Sequence, residues 1–516
     1  MITKDIKKYM MAGLVVCGFC ACAEEFDNDY QVNKPAVVTQ AEQLNSYGTI
    51  LEYIDPAFHM GNTLSSAEFL GQATPFSLTC SNFNELTIGD AFLHNKLVAS
   101  DGTIDSTSML SVIDLASQAG ISLYGESLLS STNIKDGYLV NLLPGKTAEA
   151  SKLCDFEDKE LGFKYPLALN GGAASGTAEV IADPDGESGQ CLHVACGLMF
   201  PVISIPLPAG HKFGEFTRIE MDWRAVNDGG LAGFANAFHV RLNNGGGGDA
   251  VDFGTPASFG CKKGEWGRGK VVLDLSKFNL SSAQQELTSV DLEMGPVDWW
   301  CEYYVDNIKL IYEYNVPDYE SAEARNIASG QAKKYVQTLL KHYGNAIPAW
   351  TIADRPVSSS SEMFWKHTMG DTYFGEAARY ARQQKSDIKL FVSEEGLTDA
   401  SRLQTLISLI NQAEKEGAKI DGIDAIVSLE ETETTALEAM FKALAATGKQ
   451  IRLSGLVATK DPDADASALK TVIAQYKQSV PADQRYGVSF TKGTSTLWDS
   501  HYDRLPAYAG MIDNLK

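Results

Sequence analysis

Much of the chain repeats one pattern: a short apolar run is followed by a longer segment in which apolar residues recur every three or four positions. Short apolar runs favour buried strands, and the longer spacing is typical of amphipathic helices. Eight strands alternating with helices indicate a (β/α)8 barrel of the α/β class. The predicted strands are residues 58–63, 83–90, 121–126, 346–353, 389–395, 424–429, 450–456 and 486–490.

Helices are predicted before the first strand and between most of the others. Their apolar residues fall on one face, which is the arrangement that packs a helix against a barrel wall. The predicted helices are 45–53, 109–120, 321–342, 362–384, 401–417, 436–447 and, as the last in the chain, 466–478.

The pattern changes between the third and fourth predicted strands. Residues 154–314 are rich in glycine, and apolar and polar residues alternate in short runs such as 218–223 and 270–275. Period-two alternation between turn residues is typical of antiparallel sheets, so we predict an inserted all-β sandwich. The predicted organisation is a signal peptide (1–22), a tether (23–44), a first barrel part (45–150), the insert (151–316) and a second barrel part (317–516).

The beginning of the chain predicts export. Residues 1–10 are lysine-rich, and the apolar run 11–22 is too short to span a bilayer as a helix, as in a secretory signal. The small residue before Cys22 resembles the cleavage site of bacterial lipoproteins, with Cys22 as the lipidated residue and Cys20 as the alternative. The acidic run 23–29 resembles the surface-export signal of Bacteroidetes lipoproteins. We therefore predict an outer-membrane lipoprotein exposed at the cell surface.

Composition narrows the classes of partner. A formal net charge of −23 disfavours nucleic acid and anionic lipid headgroups. No second long apolar run predicts a transmembrane helix. The six cysteines beyond residue 22 match no zinc spacing and predict no particular disulfide pairing, and nothing else in the sequence predicts a metal or a cofactor. A neutral polysaccharide is compatible with this charge, as are many other soluble ligands.

The fourth predicted strand carries a family resemblance. The segment AWTIADRP at 349–356 resembles the WDVVNE strand of the family 10 glycoside hydrolases, the endo-β-1,4-xylanases. Residues 83–93, 389–395 and 420–423 are similar in spacing to that family's FNxxTxENEMK, KLFINDY and IDGI. The resemblance implies a (β/α)8 barrel that acts on a β-1,4-linked glycan.

The same resemblance implies that the family's catalytic groups are lost. It aligns Arg355 with the glutamate that serves as general acid, and Gly455 with the nucleophilic glutamate. Arginine does not release its proton, glycine has no side chain, and a retaining glycosidase needs two carboxyl groups about 5.5 Å apart. We therefore predict no catalytic residue by the family mechanism. The remaining acids near strand ends leave relocated chemistry open: Glu126, Asp354, Glu394, Glu395 and Glu430.

Several side chains are candidates for carbohydrate binding. The insert resembles jelly-roll carbohydrate-binding modules in its opening DFE at 155–157 and its closing YVDNIKL at 304–310. Aromatic rings stack on the apolar faces of sugars, and polar groups at a barrel rim bind hydroxyls. The candidates are Trp223, Trp266, Trp299 and Trp300 in the insert, and Trp498, Asp354, Arg355, Glu126 and Glu394 in the barrel.

Three hypotheses follow from the sequence. The first is a surface lipoprotein that binds xylan or a related hemicellulose through a catalytically degenerate barrel and its inserted module. The alternative is an active glycoside hydrolase with relocated carboxylates. The third is a scaffold that docks onto an outer-membrane glycan transporter.

Overall fold

A closed barrel of parallel strands forms the larger part of the protein. The computed structural model describes residues 34–169, 175–186, 189–226, 238–242, 250–296, 300–430, 433–459 and 461–515. Neighbouring barrel strands follow the order β1-β19-β18-β17-β16-β15-β3-β2, and every pair in this ring is parallel. The strands are β1 (His59–Leu64), β2 (Glu85–Ile88), β3 (Ser122–Gly125), β15 (Ala349–Asp354), β16 (Lys389–Glu395), β17 (Gly422–Val427), β18 (Gln450–Gly455) and β19 (Arg485–Phe490).

The barrel strands are buried on both faces because helices cover the outside. In β15, for example, the five residues from Ala349 to Ala353 are all buried. This is the reason that the sequence shows continuous apolar runs here and not alternation. The predicted (β/α)8 barrel is confirmed, with strand bounds that differ from the prediction by a few residues at most of the ends.

Packing explains one unusual pairing of residue types in the barrel wall. Trp350 of β15 is fully buried, and its indole nitrogen donates to the carbonyl oxygen of Ile347 at 3.0 Å. Its ring lies directly on Gly125 of β3, where a Cβ atom would be only 2.1 Å from the indole. Glycine at position 125 is therefore what lets the tryptophan fill this space.

Six of the seven predicted helices correspond to helices of the structure, and five short helices of the barrel part were not predicted: α2, α3, α4, α6 and α14. Helix α1 ends at Asn45, and Ile50–Tyr53 is a 3-10 turn, so the predicted helix 45–53 is wrong. The predicted helix 362–384 is interrupted at Gly370, whose φ of 86° suits glycine. The chain ends on an unpredicted helix, Pro506–Leu515. The α-helices are α1 (Ala36–Asn45), α2 (Ser66–Leu70), α3 (Thr74–Asn82), α4 (His94–Leu97), α5 (Leu110–Ala119), α6 (Asp136–Val140), α7 (Ser282–Gln285), α8 (Ala322–Tyr343), α9 (Phe364–Met369), α10 (Tyr373–Gln384), α11 (Ala400–Lys415), α12 (Thr434–Ala445), α13 (Pro462–Ser479), α14 (Gly493–Leu497) and α15 (Pro506–Leu515).

Between β3 and β15 the chain forms two antiparallel sheets. One has the order β11-β10-β13-β8-β5, the other has the order β12-β9-β14-β7-β6, and β4 pairs with the second half of β14. A separate apolar core that includes Trp223 and Tyr303 lies within this region. The strands are β4 (Gly145–Cys154), β5 (Leu167–Leu169), β6 (Ser175–Ala182), β7 (Gln190–Gly197), β8 (Met199–Pro206), β9 (Phe216–Ala225), β10 (Phe238–Leu242), β11 (Val251–Asp252), β12 (Gly267–Asp274), β13 (Ser289–Pro296) and β14 (Cys301–Pro317).

The predicted export signal, with Cys22 and the acidic run, lies outside the described residues. Among the helices of the described ranges, none combines the length and the apolar character that a bilayer crossing needs.

Candidate functional site

A polar cavity opens where the barrel strands end, at the face that carries active sites in (β/α)8 enzymes. We call it the mouth cavity. It has a volume of about 210 Å³, and half of the residues around it are serine or threonine. Its charged residues are Glu126, Asp354, Arg355, Asp424 and Arg452. Three of the predicted site residues, Glu126, Asp354 and Arg355, are therefore brought together here.

Arg355 is held in place at the rim of this cavity. Its Nε donates to Oε2 of Glu395 at 2.8 Å, and its Nη1 lies 3.4 Å from Oδ2 of Asp354. Its backbone has a φ of 52°, a conformation that is unusual for a residue with a side chain. An arginine that is paired in this way can donate hydrogen bonds to a ligand but cannot protonate a leaving group.

Asp354 is bound by the segment that follows β3. Its Oδ1 accepts from the backbone N–H of Ser131 at 2.9 Å, and its Oδ2 accepts from the Ser131 hydroxyl at 2.6 Å. Asp354 is thereby oriented as a fixed negative charge at the rim.

Arg355 also borders a second cavity, which we call the side cavity. It has a volume of about 390 Å³ and lies against Glu395, Ser428 and Gly455. The two cavities adjoin, because three residues line both of them: Arg355, Ile426 and Thr491. The position that the family resemblance assigns to the acid therefore carries an arginine that is bound to Glu395.

Gly455 leaves no room for the side chain that the family would place there. Its φ is 94°, and a Cβ atom would lie 2.6 Å from the carbonyl oxygen of Val427. Both facts disfavour any residue other than glycine. The end of β18 therefore has no room for a side chain at position 455.

Glu126 is a further carboxyl group of the mouth cavity, and its pKa is shifted. Burial, and then the negative charge of Asp354, raise the pKa of Glu126 to about 7. Two nearby acids of which one holds its proton near neutral pH form a pattern that is used in acid and base catalysis. This pair is the observation that keeps relocated chemistry open.

Glu394 does not face the site, which corrects its prediction as a sugar-binding residue. It is 0% exposed, and its oxygens accept hydrogen bonds from the backbone N–H of Val357 at 2.7 Å and from the Ser358 hydroxyl at 2.6 Å. Glu394 instead anchors the loop after β15.

A layer of charged and aromatic residues at the base of the mouth cavity, which we call the lower layer, was not predicted from the sequence. Arg452 Nη1 donates to Asp424 Oδ2 at 2.7 Å, and Arg452 Nε lies 3.7 Å from Glu85 Oε1. Glu85 Oε2 accepts from the Tyr486 hydroxyl at 2.7 Å, and the Arg452 guanidinium lies 3.9 Å from the centre of the Tyr124 ring. Lone charged residues inside otherwise apolar strands were the signal that could have revealed this layer.

Two of the predicted tryptophans are core residues, which corrects both predictions. Trp223 is 0% exposed and stacks near Tyr303, with 6.0 Å between ring centres. Trp498 is 3% exposed and packs edge-on against Phe83 and Tyr508. Neither ring has a free face for a sugar.

The other tryptophans of the insert differ in exposure. Trp300 is 41% exposed, just before β14. Trp266 is half-buried, its indole nitrogen donates to Asp183, and the guanidinium of Arg268 lies 4.2 Å from the ring centre, so one face is covered. Trp299 lies outside the described residues. Among the predicted tryptophans that the structure describes, Trp300 is therefore the most exposed.

The described ranges contain no group of three or more His, Cys, Asp or Glu side chains that is arranged to hold a metal ion. The chemistry of the mouth cavity is that of hydroxyls, carboxyls and guanidinium groups.

Comparison with known proteins finds a similar fold among xylanases and a family model that matches part of the chain. The family model "Glycosyl hydrolase family 10" matches residues 308–514, which include β15 to β19. Xylanase B from Clostridium stercorarium F9 has a similar fold, with a TM-score of 0.50, 12% identity, and coverage of 90% of this chain and 100% of that chain. An intracellular xylanase from Thermoanaerobacterium saccharolyticum aligns equally well, with a TM-score of 0.50, 13% identity, and coverage of 90% and 99%. These structures share the fold.

Curated relatives match a smaller part. Endo-1,4-beta-xylanase A of Thermoanaerobacterium saccharolyticum is 22% identical over 242 residues, which are 40% of this chain and 21% of the relative. Exoglucanase XynX of Acetivibrio thermocellus is 22% identical over 242 residues, 40% of this chain and 22% of the relative. The chain thus spans about a fifth of the length of these relatives.

Proposed function

We propose that the protein is a cell-surface lipoprotein, anchored in the outer membrane through Cys22, that binds xylan or a related hemicellulose without cleaving it. The observation that carries the proposal is the state of two positions in the barrel. Arg355, aligned with the family's acid, is bound to Glu395, and Gly455, aligned with its nucleophile, has no room for a side chain. Loss of both groups of such a pair removes the reaction they perform together.

The glycan part of the proposal is supported by the similarity to xylanases and by the exposed ring of Trp300. Aromatic side chains that stand free on a surface bind sugar rings by stacking. The long acidic chain, with its net charge of −23, favours a neutral glycan over a polyanionic one. Association with an outer-membrane glycan transporter stays a prediction from the sequence.

Affinity electrophoresis of the purified full chain tests this function. We expect retardation in gels that contain xylan, mannan or mixed-linkage glucan, and weaker retardation for Trp300→Ala. Tyr314→Ala is the matched control, because Tyr314 is an equally exposed aromatic residue, 45% exposed, on β14. Unretarded migration in all three gels would refute the proposal.

An active glycoside hydrolase is the second candidate, favoured by the raised pKa of Glu126 beside Asp354. In that case Glu126 would protonate the leaving oxygen and Asp354 would be the second carboxylate. The assay is release of reducing sugar from the same polysaccharides. Release that Glu126→Gln abolishes, while Asp387→Asn at an exposed position before β16 leaves it unchanged, would establish this function in place of the first.

A further inference from the structure

Four buried polar atoms on residues around the mouth cavity lack a hydrogen-bond partner in the described part of the chain. They are Thr87 Oγ1, Ser127 Oγ, Asp424 Oδ1 and Arg452 Nε, on residues that are 6%, 5%, 3% and 5% exposed. Arg452 Nε lies 3.7 Å from Glu85 Oε1, at ion-pair distance. A buried polar atom left unpaired costs about 1–3 kcal/mol, so folded proteins keep few of them. The other three, around one cavity, indicate that the cavity is shaped for a polar occupant.

The other residues of the wall describe the chemistry of that occupant. Hydroxyl groups make up half of the lining, and a hydroxyl both donates and accepts a hydrogen bond. Such a wall suits a ligand that itself carries several hydroxyls. Two of the acids, Asp354 and Asp424, lie beside the guanidinium groups of Arg355 and Arg452. Burial raises the pKa of the third acid, Glu126, to about 7, so its negative charge is disfavoured there. A neutral ligand is therefore favoured over an ion.

The dimensions of the cavity limit the ligand to about one ring. A volume of about 210 Å³ is below the range of about 300–1,000 Å³ that is typical of pockets for drug-sized molecules. On one side the mouth cavity meets the side cavity at Arg355, whose Nε is bound to Glu395 at 2.8 Å. A glycan chain that passed from one cavity into the other would have to run past this ion pair.

We infer that the mouth cavity binds a single neutral sugar ring, through Thr87, Ser127 and Asp424. The ring is either a free monosaccharide or the last unit of a chain, since both present the same hydroxyls. The choice of a sugar rests on the proposed function. The choice of one ring rests on the cavity itself. The barrel mouth and the insert then bind different ligands. The mouth binds a single sugar or the end of a chain, and the insert binds an extended glycan.

Isothermal titration of the full chain with xylose, glucose, mannose and xylohexaose tests the inference. We expect saturable binding of at least one of these sugars, weakened about five- to tenfold by Thr87→Val and by Ser127→Ala, because each removes one hydrogen bond to the ligand. Ser428→Ala, which changes a hydroxyl of the side cavity, is the matched control and should bind as the unaltered protein does.

Thermal unfolding without sugar separates a ligand-binding role from a structural one. Thr87→Val removes a hydroxyl that has no partner in the protein, so the melting temperature should stay the same or rise. A melting temperature lowered by both Thr87→Val and Ser127→Ala would show that these hydroxyls stabilise the fold, and would contradict the inference.

The titration also distinguishes the two sources of the ring and the two proposals. Binding of a monosaccharide but not of xylohexaose identifies a free sugar, and binding of both identifies a chain end. Absence of saturable heat with all four sugars means that only water fills the cavity, which overturns the inference even if xylan still retards the protein in gels. Sugar binding without retardation by any polysaccharide would support this inference and refute the proposed function.

Discussion

The barrel contains two polar layers that differ in how far their groups bind one another. In the lower layer, Arg452 binds Asp424, approaches Glu85 and lies over the Tyr124 ring. In the mouth above it, the Thr87 and Ser127 hydroxyls have no partner in the described chain. Asp424 joins the layers, because its Oδ2 is bound to Arg452 and its Oδ1 is unpaired beside the mouth cavity.

In the lower layer most polar groups bind one another, which stabilises the barrel. In the mouth, two hydroxyl groups are left without a partner in the described chain. Burial of Arg452 alone would lower its pKa, but the charge of Asp424 raises it, so the guanidinium stays charged inside the barrel. Residues near the carboxyl ends of barrel strands are the ones that usually serve function.

The largest effect is expected from breaking the lower layer. Arg452→Met should cost about 3–5 kcal/mol of unfolding free energy, because it leaves Asp424 and Glu85 buried without their cation. Arg325→Met is the control, since Arg325 is half-exposed and its pair with Glu376, at 3.4 Å, should contribute less than about 1 kcal/mol. Urea unfolding of both variants measures the difference, and equal losses would mean that the lower layer adds no particular stability.

A smaller effect is expected at the end of β18. Gly455→Ala should cost about 1–3 kcal/mol, because position 455 has a φ of 94° and its Cβ would lie 2.6 Å from Val427 O. Gly330→Ala, in the middle of α8 with no atom near its Cβ, should instead stabilise the protein by about 0.5–1 kcal/mol. If Gly455→Ala proved neutral, room for a side chain would exist here and the loss of the family nucleophile would be reversible.

The smallest of the three effects depends on pH and concerns Glu126. Its pKa rises from 4.5 to about 7 on folding, so the folded protein holds a proton that the unfolded chain releases. Stability from this group is fully present below pH 4.5 and is lost as the pH rises to about 7. We expect Glu126→Gln to remove this pH dependence. At pH 8 its free energy of unfolding should be about 1–2 kcal/mol higher than that of the unaltered protein.

The pH–stability curves of the two proteins are measured from pH 4 to 8 and subtracted. The histidines contribute equally to both curves, so the difference reports Glu126 alone. Parallel curves would contradict the burial of Glu126 beside Asp354, and with it the basis of the hydrolase alternative.

Sequence reasoning reached the barrel because apolar runs and amphipathic spacing are local properties of the chain. It assigned Arg355 and Gly455 to their strand ends for the same reason. It was wrong for Trp223, Trp498 and Glu394, because a residue type indicates what a side chain can do and not whether solvent reaches it. The helix break at Gly370 and the final helix, Pro506–Leu515, were also missed.

The sequence by itself determined the order of strands and helices and the absence of carboxyl groups at Arg355 and Gly455, since both depend only on residue types along the chain. Only the tertiary structure decided that Arg355 borders two cavities and that Asp424, Thr87 and Ser127 surround one of them. Those residues come from four different strands or the loops that follow them, and closure of the barrel brings them together.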